Sequence, residues 1–153
     1  VETPESKSAL EGSRNMGRLS QQEINTILRE PHISIISTVR PDGTPHMTPV
    51  WHLVDGDQVV VAVETTSVKA RNVRRNPHVA LCIALNESPQ RWLLVNGTAT
   101  IAHERIPELV RALSLHYLGA AEGATYAADV LRKLRFVLLR ITPTSMIGFD
   151  GQE

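Results

Sequence analysis

The stretch Thr65-Thr66-Ser67-Val68-Lys69-Ala70-Arg71-Asn72-Val73-Arg74-Arg75-Asn76-Pro77 decides how this chain is read. Two apolar runs flank it, residues 59–63 before and residues 79–85 after. Hydroxyl residues open it. Ser67 suits the N-cap of a short helix, because its side chain can accept a bond from a free backbone N–H. Asn76-Pro77 stops that helix, since a residue before proline is pushed out of the α region. A strand, a basic helix start and a second strand in this order predict a small domain that presents positive charge to an anion.

The backbone N–H groups of residues 68–70 would point outward at the positive end of the helix. Lys69, in the first turn, opposes the helix dipole, which is unfavourable unless an anion sits there. Asn72 lies three residues on and shares the Lys69 side of the helix, while Ala70 and Val73 form the apolar side. Arg71, Arg74 and Arg75 fall nearer solvent. The plainer reading of the same residues is a solvated basic helix.

Outward from this stretch the chain reads mostly as strands. Leu19-Ser20-Gln21-Gln22-Glu23-Ile24 carries a capping box, with Ser20 as N-cap and Glu23 three residues on. Pro31 ends that helix. Residues 32–39 read as a first strand, and Arg40-Pro41-Asp42-Gly43 as a hairpin turn. Residues 44–54 read as one long second strand, with Pro45 and Pro49 marking an edge or bend. Residues 58–64, 79–85 and 91–102 are strands three to five, with Gly97 a bulge or point of close approach. A helix is expected over residues 104–118, and a second over 126–133. Residues 136–141 are a sixth strand and 145–149 a short last one. The expected architecture is mostly β with peripheral helices: a six-stranded antiparallel barrel that fills its own interior, leaving the ligand site outside, in a groove or at a subunit interface.

Composition narrows the classes. One domain suits 153 residues, with a flexible tail over residues 1–18 and the folded domain over 19–153. Sixteen basic and sixteen acidic side chains cancel, which argues against a nucleic-acid partner. Aromatics make up 4%, so the core must be aliphatic. No run approaches the roughly 20 apolar residues of a membrane span, and residues 1–7 do not read as a signal peptide. The single cysteine, Cys82, reads as a small buried hydrophobe in a reducing cytoplasm. No metal-ligand spacing is present.

A second constellation is His46-Met47-Thr48-Pro49-Val50-Trp51-His52. Strand alternation puts His46, Thr48, Val50 and His52 on one face. A strand histidine is more often structural than catalytic. Trp51 reads equally as core or as a wall for a planar ligand. Trp92 opens the fifth strand, half-exposed, at a subunit contact or over a cofactor ring.

The run from Ile35 through the Pro41-Asp42-Gly43 turn to Trp51 resembles the first hairpin of the pyridoxamine 5'-phosphate oxidase-like split β-barrel superfamily. The run Ser67-x-Lys69-x-Arg71-Asn72 through Pro77-x-Val79 is similar to the cofactor-phosphate motif of its flavin/deazaflavin oxidoreductase branch, and Gly97-Thr98-Ala99 matches as well. The resemblance covers about residues 19–149. It implies a cytoplasmic homodimer with coenzyme F420, or alternatively FMN, in grooves between the subunits. Ser67, Lys69 and Asn72 would bind the cofactor phosphate. His46, Met47, Thr48, Pro49, Val50 and Trp51 would line the ring edge. Val63, Glu64, Thr65 and Thr66 would border the ribityl chain, and Trp92 would come from the partner subunit. The C-terminal arginine and histidine pattern of pyridoxamine oxidase itself is missing, which points away from vitamin B6 chemistry.

The implied activity is hydride transfer from reduced coenzyme F420 to a small unsaturated molecule, with no catalytic side chain assigned. Arg71, Arg74 and Arg75 would suit the acidic tail of that coenzyme. A contrasting expectation is a non-catalytic protein that binds a cofactor or haem, with His46, His52, His78 or His116 as axial ligand.

Overall fold

The computed structural model describes residues 17–151. Most of the expected tail, residues 1–16, lies outside them. Gly17 and Arg18, assigned above to that tail, belong to the fold. The Asp150 N–H donates to the Gly17 carbonyl at 2.5 Å, and Arg18 bridges Phe149.

The elements in order are α1 (Gln21–Arg29), β1 (Ser34–Val39), β2 (Pro45–Val50), β3 (Leu53–Asp55), β4 (Gln58–Glu64), α2 (Val68–Arg75), β5 (His78–Ala84), β6 (Arg91–Ala102), α3 (Ile106–Leu118), α4 (Ala120–Lys133) and β7 (Phe136–Asp150). Local chemistry accounts for most boundaries. The capping box forms: Ser20 Oγ accepts from the Glu23 N–H at 3.2 Å, and the Ser20 N–H donates to Glu23 at 2.7 Å. In the hairpin turn Gly43 takes φ +84, which only glycine adopts freely. At Gly97 a Cβ would press into the Thr142 carbonyl, and the β6–β7 register shifts between Asn96 and Gly97 as expected of a bulge.

All strands form one antiparallel sheet in the order β2-β1-β5-β6-β7-β4-β3. The strand count is seven, not six, and the sheet is not closed. Three expectations change. The long second strand over residues 44–54 is two strands, β2 and β3, which lie at opposite edges of the sheet. Trp51-His52 carries the chain from one edge to the other. Two residues span only about 7 Å, so the sheet has to curl until its edges nearly meet, which gives a split barrel. Residues 136–141 and 145–149 merge into β7, because the bulge absorbs the break around Pro143. The helix expected from Tyr126 begins at Ala120, since Gly119, at φ +85, ends α3 and caps α4 in a single residue.

The core lies on the inner face of the curl, where Ile36, Leu81, Leu93, Val61 and Leu139 are fully buried. A second cluster, built on Val60, Leu138 and Leu109, seats α3 on the other face of β4 and β7. The α3–α4 hairpin closes tightly: a Cβ at Gly123 would meet the Ser114 carbonyl oxygen at 2.5 Å. Among the described residues no helix is long and apolar enough to cross a membrane.

Candidate functional site

The sequence places Ser67 at the start of α2, and its side chain accepts from the Ala70 N–H at 3.2 Å. The Arg71 N–H goes to the Ser67 carbonyl. Among the described residues the N–H groups of Val68 and Lys69 donate to nothing. Lys69 is half-buried, and its ammonium makes no ion pair or hydrogen bond among the described residues. Burial pulls its pKa below the ordinary lysine value, with the Glu64 carboxylate opposing the shift. A partly desolvated, unpaired ammonium beside two free helix N–H groups favours an anion strongly.

Lys69 lines a cavity of about 520 Å³. Of the sequence-derived candidates, Pro49, Val50, Trp51, Val63, Glu64, Ser67 and Lys69 line it together. Trp51 is held flat against Tyr117, ring centroids 4.9 Å apart at 9°. The Tyr117 hydroxyl donates to the His32 carbonyl at 2.7 Å and accepts from the His52 N–H at 3.1 Å, so the strand crossing and the indole are fixed by the same side chain.

His46 and Thr48 are not among the residues that line the cavity; they lie on β2 opposite Thr38 and Ile36. His46 Nδ1 and Thr48 Oγ1 are buried without a hydrogen-bond partner. Burial, then Arg40 and Lys69, hold the His46 pKa below its ordinary value. Two orphaned polar atoms, an unpaired amine and two free N–H groups fit a ligand with an anionic group and a polar edge.

Other candidates sit elsewhere. Asn72 is 2% exposed. Its amide donates to Thr38 Oγ1 at 3.0 Å, and its oxygen accepts from Arg75 at 3.2 Å, so it ties α2 to β1 and does not face the cavity. Thr65 and Thr66 precede α2, and Thr65 is clasped by Arg74 at 2.8 and 3.1 Å. Arg75 reaches the Val39 carbonyl at 2.5 Å. Of the three arginines offered for an acidic tail, Arg71 alone is exposed without such a tie. Met47 is 60% exposed on the outer face. Trp92, on that same face, packs against Phe149 at 5.1 Å.

His52 is no axial-ligand candidate. It is 1% exposed, Nε2 donates to the Leu28 carbonyl at 2.7 Å, and Nδ1 pairs with the Ser34 hydroxyl.

Sequence reading missed Ile33, Leu113, Tyr126, Leu134 and Phe136, which also line the cavity. No local pattern signals these residues, because they are joined only when β7 pairs with β4, setting Phe136 opposite Glu64, and α3 and α4 pack nearby.

Comparison with known proteins agrees with this fold. Among solved structures, an F420 reductase is 27% identical with TM-score 0.65, covering 80% of this chain and 94% of its own. A conserved hypothetical protein from Mycobacterium tuberculosis is 25% identical with TM-score 0.70, over 86% of this chain and 85% of its own. The haem storage protein of Vibrio cholerae shares the fold at 18% identity and TM-score 0.67, over 86% of this chain and 96% of its own. No curated protein sequence matches. The sequence model of the pyridoxamine 5'-phosphate oxidase family matches residues 20–148, nearly the whole split barrel and every residue of the cavity, and the chain belongs to that family.

Proposed function

We propose that this protein is a cytoplasmic oxidoreductase that uses reduced coenzyme F420 to transfer a hydride to a small unsaturated organic substrate. The observation that carries this reading is the unpaired, half-buried Lys69 amine at the start of α2, lining a cavity that Trp51 also walls. A bound deazaflavin would supply a hydride, which an activated C=C would take at one carbon with a solvent proton at the other. The chain's own residues bind and orient. Ser67 and Lys69 hold the phosphate, His46 and Thr48 offer polar contacts along the ring edge, and Trp51 shields the ring from water.

The site is completed by a second copy of the chain. The register aligns Pro49, Ile35, Cys82, Leu94 and Ile147 in one row across five strands, none of them buried. Met47, Trp92 and Phe149 flank the row. A continuous apolar band on one sheet face marks an association surface.

FMN offers the same phosphate and ring and is the alternative cofactor. The preference for coenzyme F420 rests on Arg71 as a free cation for its acidic tail and on likeness to a protein described as an F420 reductase. Side-by-side titration of the two cofactors, read by fluorescence quenching, tests this. Tighter binding of coenzyme F420, lost at least tenfold in Lys69→Ala, is expected. Tighter FMN binding overturns the cofactor choice, and unchanged affinity in Lys69→Ala overturns the site.

A further inference from the structure

Trp51 has no strand partner. β2 ends at Val50 and β3 begins at Leu53, so Trp51 and His52 cross between the sheet edges outside the ladders. The sheet therefore does not set the plane of the indole. Two side chains of the α3–α4 hairpin meet it instead. Tyr117 of α3 lies flat against it, ring centroids 4.9 Å apart at 9°, and Tyr126 of α4 tilts against it at 5.6 Å and 52°. Aromatic pairs at such spacings attract each other beyond the area they bury.

Trp51 and Tyr126 line the cavity; Tyr117 does not. Tyr117 is itself tied down at its far end. Its hydroxyl donates to the His32 carbonyl at 2.7 Å and accepts from the His52 N–H at 3.1 Å. Burial pushes the phenol pKa up, so the hydroxyl keeps the proton that the His32 bond uses. At the other end of α3, Arg105 pairs with Asp55 at 2.9 Å, so loss of the Tyr117 hydroxyl leaves that helix still anchored to the sheet.

We infer that Tyr117 is a positioning residue for the cavity: it fixes the plane of Trp51, and so the wall that meets a planar ligand, without touching the ligand. The inference rests on the cofactor reading above for the identity of that ligand. With the stack in place the indole is ordered before anything binds. Without it, ordering of the indole accompanies binding and weakens it. Part of the cavity's affinity is thus set from α3, behind the wall.

Fluorine NMR of the full chain labelled with 5-fluorotryptophan tests this without turnover. The two signals come from Trp51 and Trp92. Trp92 packs on Phe149 and serves as the internal control. In the cofactor-free protein Tyr117→Leu is expected to move the Trp51 signal and leave the Trp92 signal in place. The same variant should bind coenzyme F420 and FMN about threefold to tenfold more weakly, the worth of one aromatic pair. Tyr117→Phe keeps the ring without the hydroxyl and should fall between wild type and Tyr117→Leu in both readouts. Asn72→Ala, which loses stability at a site away from Trp51, should change neither readout, and this separates positioning from plain destabilisation. If Tyr117→Leu does not fold, Tyr117→Phe against wild type decides. The inference is overturned if the Trp51 signal stays in place in the folded Tyr117 variants, or if it moves while the affinity for both cofactors is unchanged. Failure of the cofactor reading shows separately, as unchanged cofactor affinity in Lys69→Ala.

Discussion

Replacing Asn72 by alanine separates a binding role from a structural one. Asn72 sits on α2 three residues from Lys69, and the local pattern alone makes it a phosphate ligand. In the fold its amide donates to Thr38 Oγ1 at 3.0 Å, and both residues are buried, Asn72 at 2% and Thr38 at 0% exposure. Alanine leaves the Thr38 hydroxyl unpaired in the interior, which costs about 1–3 kcal/mol. The Arg75 bond at 3.2 Å is lost as well, but Arg75 is exposed and water replaces that partner at little cost. With a urea slope of about 1–3 kcal/mol/M, the unfolding midpoint should fall by about 1 M at unchanged slope. The assay is urea unfolding of the cofactor-free protein followed by circular dichroism, paired with cofactor titration under native conditions. Reduced stability with cofactor affinity within about twofold of wild type is expected. Unchanged stability with a tenfold loss of affinity would refute the assignment and restore Asn72 to the phosphate site.

Three further outcomes follow from the same structure. His52 is held neutral by burial, with its pKa below the ordinary value; the unfolded chain takes up a proton near pH 6.5 while the folded one does not, so stability present above about pH 6.5 should drain by up to about 1.4 kcal/mol per pH unit on acidification, and His52→Gln should flatten that dependence in melts between pH 7 and pH 5. Gly123→Ala drives a methyl group to 2.5 Å from the Ser114 carbonyl oxygen; the roughly 1 kcal/mol gain in helix propensity should lose to about 1–3 kcal/mol of overpacking, and a raised melting temperature would contradict the tight hairpin. Met47→Asp, at a position 60% exposed in the single chain, should convert a dimer to monomers in sedimentation velocity, whereas an unaltered dimer would move the interface off this sheet face.

Features carried by short-range chemistry were legible from the residues alone. Ser20 and Glu23 specify their capping box, Ser67 specifies the start of α2, and Gly43 specifies a turn with positive φ. The apolar alternation of residues 34–39 and 79–83 specifies strands with one buried face. Each depends on neighbours within about four positions. Lys69, placed in the first turn of α2 by the same local signals, is half-buried and lines the cavity.

Contacts between distant segments decided the rest. A helical wheel cannot tell which side of α2 a sheet will cover, and covering it with β1 turned Asn72 toward Thr38. Residues 44–54 read as one strand, with Pro45 and Pro49 as its edge or bend signals. Only the competition between β1 and β4 for pairing, with His52 drawn between Leu28 and Ser34, splits them at Trp51. The cavity joins residues more than 100 positions apart, Ile33 and Leu134. Hydrophobic side chains are interchangeable in local patterns, so the sequence could place a charge at the mouth of the site but not the walls behind it.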